Sequence, residues 1–349
     1  MPIEPRPSVA ALEPYQWEDS SAAIAARLGL PVEDVVRFDM NTVPWQLPAG
    51  WAAGAEVLNE YPDTSYADLT RAIAAYCDVP ESSVVVGAGG DELISLIAQA
   101  YLDSSRHYAV SDPTYSLFAV ASDIAGATRR AVPSDGHFRL DRAAFLAATA
   151  DAHVTWLANP NNPTGEVLPQ EFVREVARAT RGVVVVDEAY AEFSGASSLP
   201  WCFDLENVIV LRTLSKAFGL AGMRVGWVVA SPAVTAVLAK VRPVTSISVV
   251  SARLGVAALE QADAMRPLVR DLAVERQRLA AALADLGCRV IEGSANFVLA
   301  VLDTAGAARA RSRGLVLRTY GAGHRLHGWS RITVRSPAEN ARLLDALRG

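Results

Sequence analysis

Lys216 stands in TLSKAFGLAGMRVGW, residues 213–227, beside Thr213, Ser215 and several glycines, with Arg224 eight positions on. A lysine among small apolar residues is costly to bury unless it is paired or reactive. Taken alone, the stretch also fits a surface helix end with two solvated cations. Asp187 closes the apolar run in GVVVVDEAY. A carboxylate there calls for a cation, unless it caps a helix or joins a core ion pair. Tyr190 follows three residues later, and Asn162 stands in NPNNPTG. An aldehyde cofactor built on a pyridine ring needs this set: a lysine for the imine, a carboxylate at the ring nitrogen, and donors at the phenolic oxygen. A phosphate on that cofactor needs N–H groups and hydroxyls. GAGGDEL runs into a helical pattern, so Gly90, Asp91 and Glu92 offer amides at a helix start, although a glycine turn by itself is weak support. Thr213, Ser215 and Arg224 would complete the phosphate cup. Tyr115 in DPTY suits the face of the ring, or equally a half-buried core position.

The elements that must carry these residues alternate along the chain. SSVVVGAGGDELISLIAQAYL passes from a β-branched run through glycines into an apolar helix, and HYAVSDPTYSLFAVASDIAG repeats the scheme. HVTWLANPNNPTG, GVVVVDEAYAEF, NVIVLRTLSKAFGL and RVGWVVAS continue it. Continuous Val/Ile runs separated by helices predict a mostly parallel sheet buried on both faces. In such sheets ligands bind beyond the carboxyl ends of strands. Five polar clusters (GAGGDE, DPTY, NPNNPTG, DEAY and RTLSK) each follow a strand-like run. The last hundred residues give short strands and helices of a smaller α+β unit, and the loop-rich first 45 are expected to pack with it.

Composition bounds the function. The 349 residues are 51% hydrophobic and 20% charged, with a net charge of −6, which describes a compact chain with a large core and argues against nucleic acid as partner. No run of about 18 apolar residues predicts a membrane span, and the first 21 residues place prolines and acids where a signal peptide needs a basic and then an apolar segment. Cys77, Cys202 and Cys288 lie far apart without a CxxC, and the five histidines lack metal-ligand spacing. The expectation is a cytoplasmic protein without a metal site.

NPNNPTG, DEAY and TLSKAFGLAGMRVGW, in that order, resemble the fold-type I pyridoxal-phosphate aminotransferases of class I/II. LEPYQW, LNEYPDTSYADLTRAIAAY, VVVGAGGDELI, DPTYSLF and RITVRSPAENARLLDALR extend the likeness along nearly the whole chain to the histidinol-phosphate aminotransferase subgroup. The resemblance implies an aspartate aminotransferase-like α/β fold. Its large domain, here 46–240, holds a mostly parallel, mixed seven-stranded sheet between helices; 1–45 and 241–349 form a smaller α+β domain with an N-terminal arm. It implies pyridoxal 5'-phosphate as cofactor and a homodimer of amino-acid biosynthesis. It further implies transfer of an amino group between a histidinol phosphate-like or aromatic donor and 2-oxoglutarate. Lys216 matches the Schiff-base lysine, Asp187 the ring-nitrogen partner, Asn162 and Tyr190 the groups at the phenolic oxygen, and Tyr115 the stacking aromatic. Gly90, Asp91, Thr213, Ser215 and Arg224 match phosphate binders, and Tyr61 a tyrosine lent across the dimer interface. Arg331 matches the substrate-carboxylate arginine, while Arg318 and Tyr15 match positions lining the side-chain pocket. Each of these last three has an ordinary reading too, as strand-edge cations or a packing aromatic.

The chain also departs from its family. MNTVPWQLP keeps Asn41 and Pro44 of an Asn-Glu-Asn-Pro block but places Thr42, Val43 and Trp45 in a segment that overlies the substrate pocket. Arg335 stands where glycine is common, and GAGHRLHGW is rich in His and Arg; these are surface charges or a second anion contact. Three rivals follow from the residues. A decarboxylase or elimination enzyme would use the same cofactor with a different bond aligned to the ring. A regulatory module would need a DNA-binding motif that the acidic chain lacks. A nicotinamide enzyme would need G-x-G-x-x-G, which GAGGDE does not provide.

Overall fold

The computed structural model describes residues 5–10, 12, 19–45 and 59–349. In chain order the strands among them are β1 (Val36–Arg37), β2 (Val84–Gly87), β3 (His107–Asp112), β4 (Thr128–Pro133), β5 (Val154–Ala158), β6 (Val183–Asp187) and β7 (Val208–Thr213). They continue with β8 (Gly226–Ala230), β9 (Arg289–Glu292), β10 (Phe297–Val301), β11 (Leu315–Val316), β12 (Arg318–Thr319) and β13 (Ser330–Thr333).

Seven of them form one sheet in the order β2-β8-β7-β6-β5-β3-β4. Every pairing in it is parallel except those of β8, which runs antiparallel to both β2 and β7. The unbroken apolar runs read from the sequence are buried along their whole length in β5 to β8, as a sheet covered on both faces requires. Val184, Val186, Val208 and Val210 feed one core, and Val183, Val185, Ile209 and Leu211 the other. The covering helices are amphipathic: Gln170–Ala179 buries Phe172, Val173, Val176 and Ala177 and exposes its charges.

Asp112, Ala158, Asp187 and Thr213 end four neighbouring parallel strands at one edge. Because β8 runs the other way, its first residue, Gly226, lies opposite both Thr213 and Gly87 at that same edge. The five polar clusters of the sequence therefore converge there.

A second, antiparallel sheet runs β12-β13-β10-β9, packed by the helix Ala262–Asp285, which in turn meets the helix Pro337–Arg348. Ser336 starts the latter in a capping box, accepting the Glu339 N–H at 3.3 Å while Glu339 accepts the Ser336 N–H at 3.0 Å. β1 pairs in parallel with β11, and Thr333 donates its N–H to Phe38 O at 2.8 Å. The early segment is thus woven into the later sheets. We retain as a proposal the division into 46–240 and 1–45 with 241–349. It keeps each of these sheets intact, while the helix Val249–Glu260 lies back against the helix Ala67–Cys77.

Candidate active site

The backbone of Asp187 is held between Ala158 of β5 and Leu211 of β7, and its carbonyl accepts the Asn159 N–H at 2.8 Å. The side chain is buried and accepts the Ala189 N–H at 2.9 Å. Burial is the largest influence on this carboxyl and pushes it up to about 7; Asp91 and Glu188 act in the same direction, against the Ala189 N–H and Lys216. A carboxyl so placed gains from a cation brought to it.

That shift fixes a pH dependence for the cofactor-free protein. Below pH about 4 the group is protonated folded and unfolded alike. Between about 4 and 7 the unfolded chain releases the proton while the folded chain keeps it, so stability falls as pH rises, and it levels off above 7. The loss is on the order of a few kcal/mol. Urea midpoints of cofactor-free wild type at pH 5 and pH 8 should differ by more than those of Asp187→Asn; equal differences would refute the assignment.

β7 delivers Thr213 to the same edge, and the chain then folds tightly on itself. Leu214 donates to Val225 O, Gly219 to Lys216 O and Leu220 to Leu214 O, each at 3.0 Å. Leu214, Ala217 and Phe218 are fully buried on either side of a half-buried Lys216. The Lys216 Nζ reaches the Tyr190 ring, 5.5 Å from its centroid. Tyr190 Oη accepts from Asn41 Nδ2 at 2.9 Å, which leaves its own O–H to donate. Asn162 Oδ1 accepts from Arg331 at 2.8 Å, which likewise leaves its NH2 group as a donor. Two donors are thereby oriented by what they already accept.

The third feature is a cradle for an anion. The helix Gly89–Tyr101 starts without a side-chain cap, so first-turn N–H groups remain for a ligand. Arg224 lies across this start, 3.3 Å from Asp91 Oδ2 and 3.4 Å from Ser215 Oγ. Thr213 Oγ1 is 2.9 Å from Ser215 Oγ. Gly89 has φ +82°, a conformation that favours glycine, and a Cβ there would displace the Arg224 guanidinium. Gly90 packs close enough to β7 that a Cβ would lie 3.3 Å from Leu211. Glu92 turns its carboxylate away to accept the Ala88 N–H at 2.6 Å and the Ser246 O–H at 2.9 Å. Tyr115, half-buried, donates to Asp91 at 2.9 Å, and burial pushes its phenol well up.

On the far side, Arg331 of β13 donates to Asn162 and to Asp39 O, and its Nε is buried without a partner. The guanidinium lies 5.7 Å over the Phe297 ring. Arg318 of β12 pairs directly across from Arg331 and lies 6.0 Å over Tyr320. Asn41, at φ +52°, is buried where Thr333 Oγ1 accepts its N–H at 2.9 Å and Asn296 donates to its carbonyl at 3.0 Å. Trp45 Nε1 donates to Ala217 O at 3.2 Å, beside Lys216. Arg335 is committed to Glu339 at 2.9 Å and to Thr42 O at 3.1 Å, which makes it part of the capping region. Tyr61 is 85% exposed in the protomer. Tyr15 falls outside the described residues.

A buried carboxyl for a ring nitrogen, two oriented donors for a phenolic oxygen, a reachable lysine and an uncapped helix start with arginine together fit a phosphorylated pyridine aldehyde. Among the described residues no group of His, Cys, Asp and Glu could hold a metal, and no helix is long and apolar enough to cross a membrane.

Fold and site together define an enzyme that uses pyridoxal 5'-phosphate on an aspartate aminotransferase-like scaffold. The profile of the family described as aminotransferase class I and II matches residues 34–347, and the chain belongs to that family; it is a transaminase, taking amino and keto-acid substrates. It is 36% identical to a histidinol-phosphate aminotransferase of Roseiflexus castenholzii, over 98% of this chain and 97% of that one. A histidinol-phosphate aminotransferase of Caldanaerobacter subterraneus is 34% identical over 89% and 92%. Among solved structures, the histidinol-phosphate aminotransferase of Sinorhizobium meliloti in complex with pyridoxal-5'-phosphate matches with a TM-score of 0.86. It is 26% identical and covers 98% of this chain and 96% of that chain.

Sequence reading did not single out the ion pair Glu188–Arg212 or the buried Asn296 and Thr333 that hold Asn41. The signal for the first was present: Arg212 interrupts NVIVLRTLSK, and a lone charge in an apolar strand demands a buried partner.

Proposed function

We propose that this transaminase moves an amino group from histidinol phosphate, or a donor with the same anionic end, to 2-oxoglutarate. The cofactor supplies an electron sink for negative charge developing at the substrate Cα. In this reading Lys216 binds the cofactor and its Nζ carries the proton to and from Cα. Asp187 sustains positive charge at the ring nitrogen, while Tyr190 and Asn162 donate to the phenolic oxygen. Tyr115 covers the ring. Gly90, Asp91 and Glu92 through their N–H groups, with Thr213, Ser215 and Arg224, take the phosphate. Arg331 grips a carboxylate or phosphate on the substrate, and Asn41 orients Tyr190.

The observation that carries the choice of donor is the cross-strand pair Arg318–Arg331. The Arg331 Nε is buried with no partner among the described residues, and two neighbouring guanidiniums match the charge of a phosphate dianion better than that of a single carboxylate. The histidinol-phosphate aminotransferase relatives support the same donor. Trp45 beside the lysine loop favours a second reading, an aromatic amino donor. We also infer a homodimer in which Tyr61 serves the partner's cofactor phosphate, a role that its 85% exposure leaves it available for. Three unpaired cysteines support a reducing, cytoplasmic setting.

The test is a donor panel followed at the visible band of the loaded enzyme. Histidinol phosphate should bleach it at least about 100-fold faster than phenylalanine, with 2-oxoglutarate restoring it. The reverse order would overturn the first reading in favour of the second.

A further inference from the structure

Glu188 follows Asp187, and Arg212 precedes Thr213. Side chains alternate along a strand, so these two pass to the sheet face opposite Asp187 and Thr213. There the Glu188 side chain is 0% exposed and that of Arg212 9%. Arg212 Nε and one terminal nitrogen donate to Glu188 Oε2 at 3.1 and 2.7 Å. Ser197 Oγ donates to the same oxygen at 2.9 Å, and the Ser198 N–H to the other. Glu192 lies 3.6 Å from Arg212 and accepts the Tyr76 O–H at 3.2 Å. Cys77, beside Tyr76 on the helix Ala67–Cys77, and Cys202 also face the cluster.

Two carboxylates and one guanidinium in an apolar core leave a charge imbalance. Burial pushes the Glu192 carboxyl up, against the pull of Arg212. The Glu188 N–H donates to Leu211 O at 2.8 Å, so the pair also ties the end of β6 to β7 just where the two strands present their cofactor-facing residues.

We propose that Arg212 and Glu188 are positioning residues, a clamp on the back of the sheet that sets the spacing and the electric field of Asp187 and the Thr213–Lys216 loop at the cofactor. The clamp rests on the roles proposed for Asp187 and Lys216. It touches neither cofactor nor substrate; it acts through the two strand ends.

The experiment is a pH titration of the visible band in loaded wild type, Glu188→Gln, Arg212→Met and the double variant Glu188→Leu/Arg212→Met, with kcat and KM. The charged groups that bear on Asp187, and through it on the midpoint of the band, are Asp91, Lys216 and Glu188. Removing negative charge behind the sheet should lower the midpoint, and removing Arg212 should raise it, each by at least about 0.5 pH unit. A merely structural role would move both the same way. The double variant, with a net-neutral replacement, should return toward the wild-type midpoint. In the single variants kcat should fall by about 10- to 100-fold, with KM for the donor within threefold. Arg212→Lys, which keeps the charge and loses the two-point contact, should retain the midpoint and lose kcat, and serves if Arg212→Met does not fold. Unchanged midpoints with kcat within twofold of wild type would overturn the clamp. A wild type with no band, or a band that Lys216→Ala leaves in place, would overturn the assignment of Lys216 and the clamp with it.

Discussion

Replacing Lys216 with alanine should reduce transamination by about 10^4-fold, the upper range for removal of a group that moves a proton in the transition state. The fold should survive. The loop around Lys216 is fastened by its own backbone and by Leu214, Ala217 and Phe218, and truncation of a half-buried side chain away from that anchoring shifts stability by about 0.5 kcal/mol. The cofactor should still bind through Asp187 and the Arg224 cradle, but without the visible band of the wild type. A small primary amine such as methylamine should recover part of the single-turnover rate by standing in for the base that the proposed mechanism places at Lys216. Cofactor retention by gel filtration and single-turnover kinetics check this result; turnover within 100-fold of wild type would refute the role given to Lys216.

Asp187→Asn should cost about 10^3-fold in kcat, equivalent to the ~4 kcal/mol associated with breaking one partner out of a buried ion pair. The substitution is nearly isosteric, and the amide oxygen can still accept the Ala189 N–H that the carboxylate now accepts at 2.9 Å. The damage should therefore appear in kcat and cofactor affinity more than in folding. The same variant should lose the pH-dependent instability of the cofactor-free protein, because the group pushed up to about 7 is no longer there. A variant with near-normal kcat would show that charge at this strand end is dispensable.

Much of the large sheet was legible because its strands are continuous apolar runs, a pattern that only burial on both faces explains. The residues proposed to face the cofactor share a related signature: Asp187 and Thr213 close such runs, and Asn162 and Lys216 follow shortly after them, where a parallel sheet puts its ligand. Other features depend on pairings between distant segments, which no local pattern encodes. Nothing in VRF predicts that Val36–Arg37 pairs with Leu315–Val316. Nor does RITV reveal that Arg331 lies opposite Arg318 and bonds to Asn162, 169 residues away. Arg335 illustrates the converse. The sequence leaves it as a surface charge or a second anion contact, and in the structure it pairs with the capping Glu339 four residues on.

Gly165, in NPNNPTG, and Gly293, before β10, meet backbone to backbone. A Cβ on Gly165 would lie 2.6 Å from the Gly293 Cα, and the Ser294 N–H donates to Gly165 O at 2.9 Å. The spacing between the proposed domains 46–240 and 241–349 is therefore set here by bare main chain. Thr42, Val43 and Trp45 take no part in that contact. Substitutions in that segment therefore leave the spacing of the two sheets as it is.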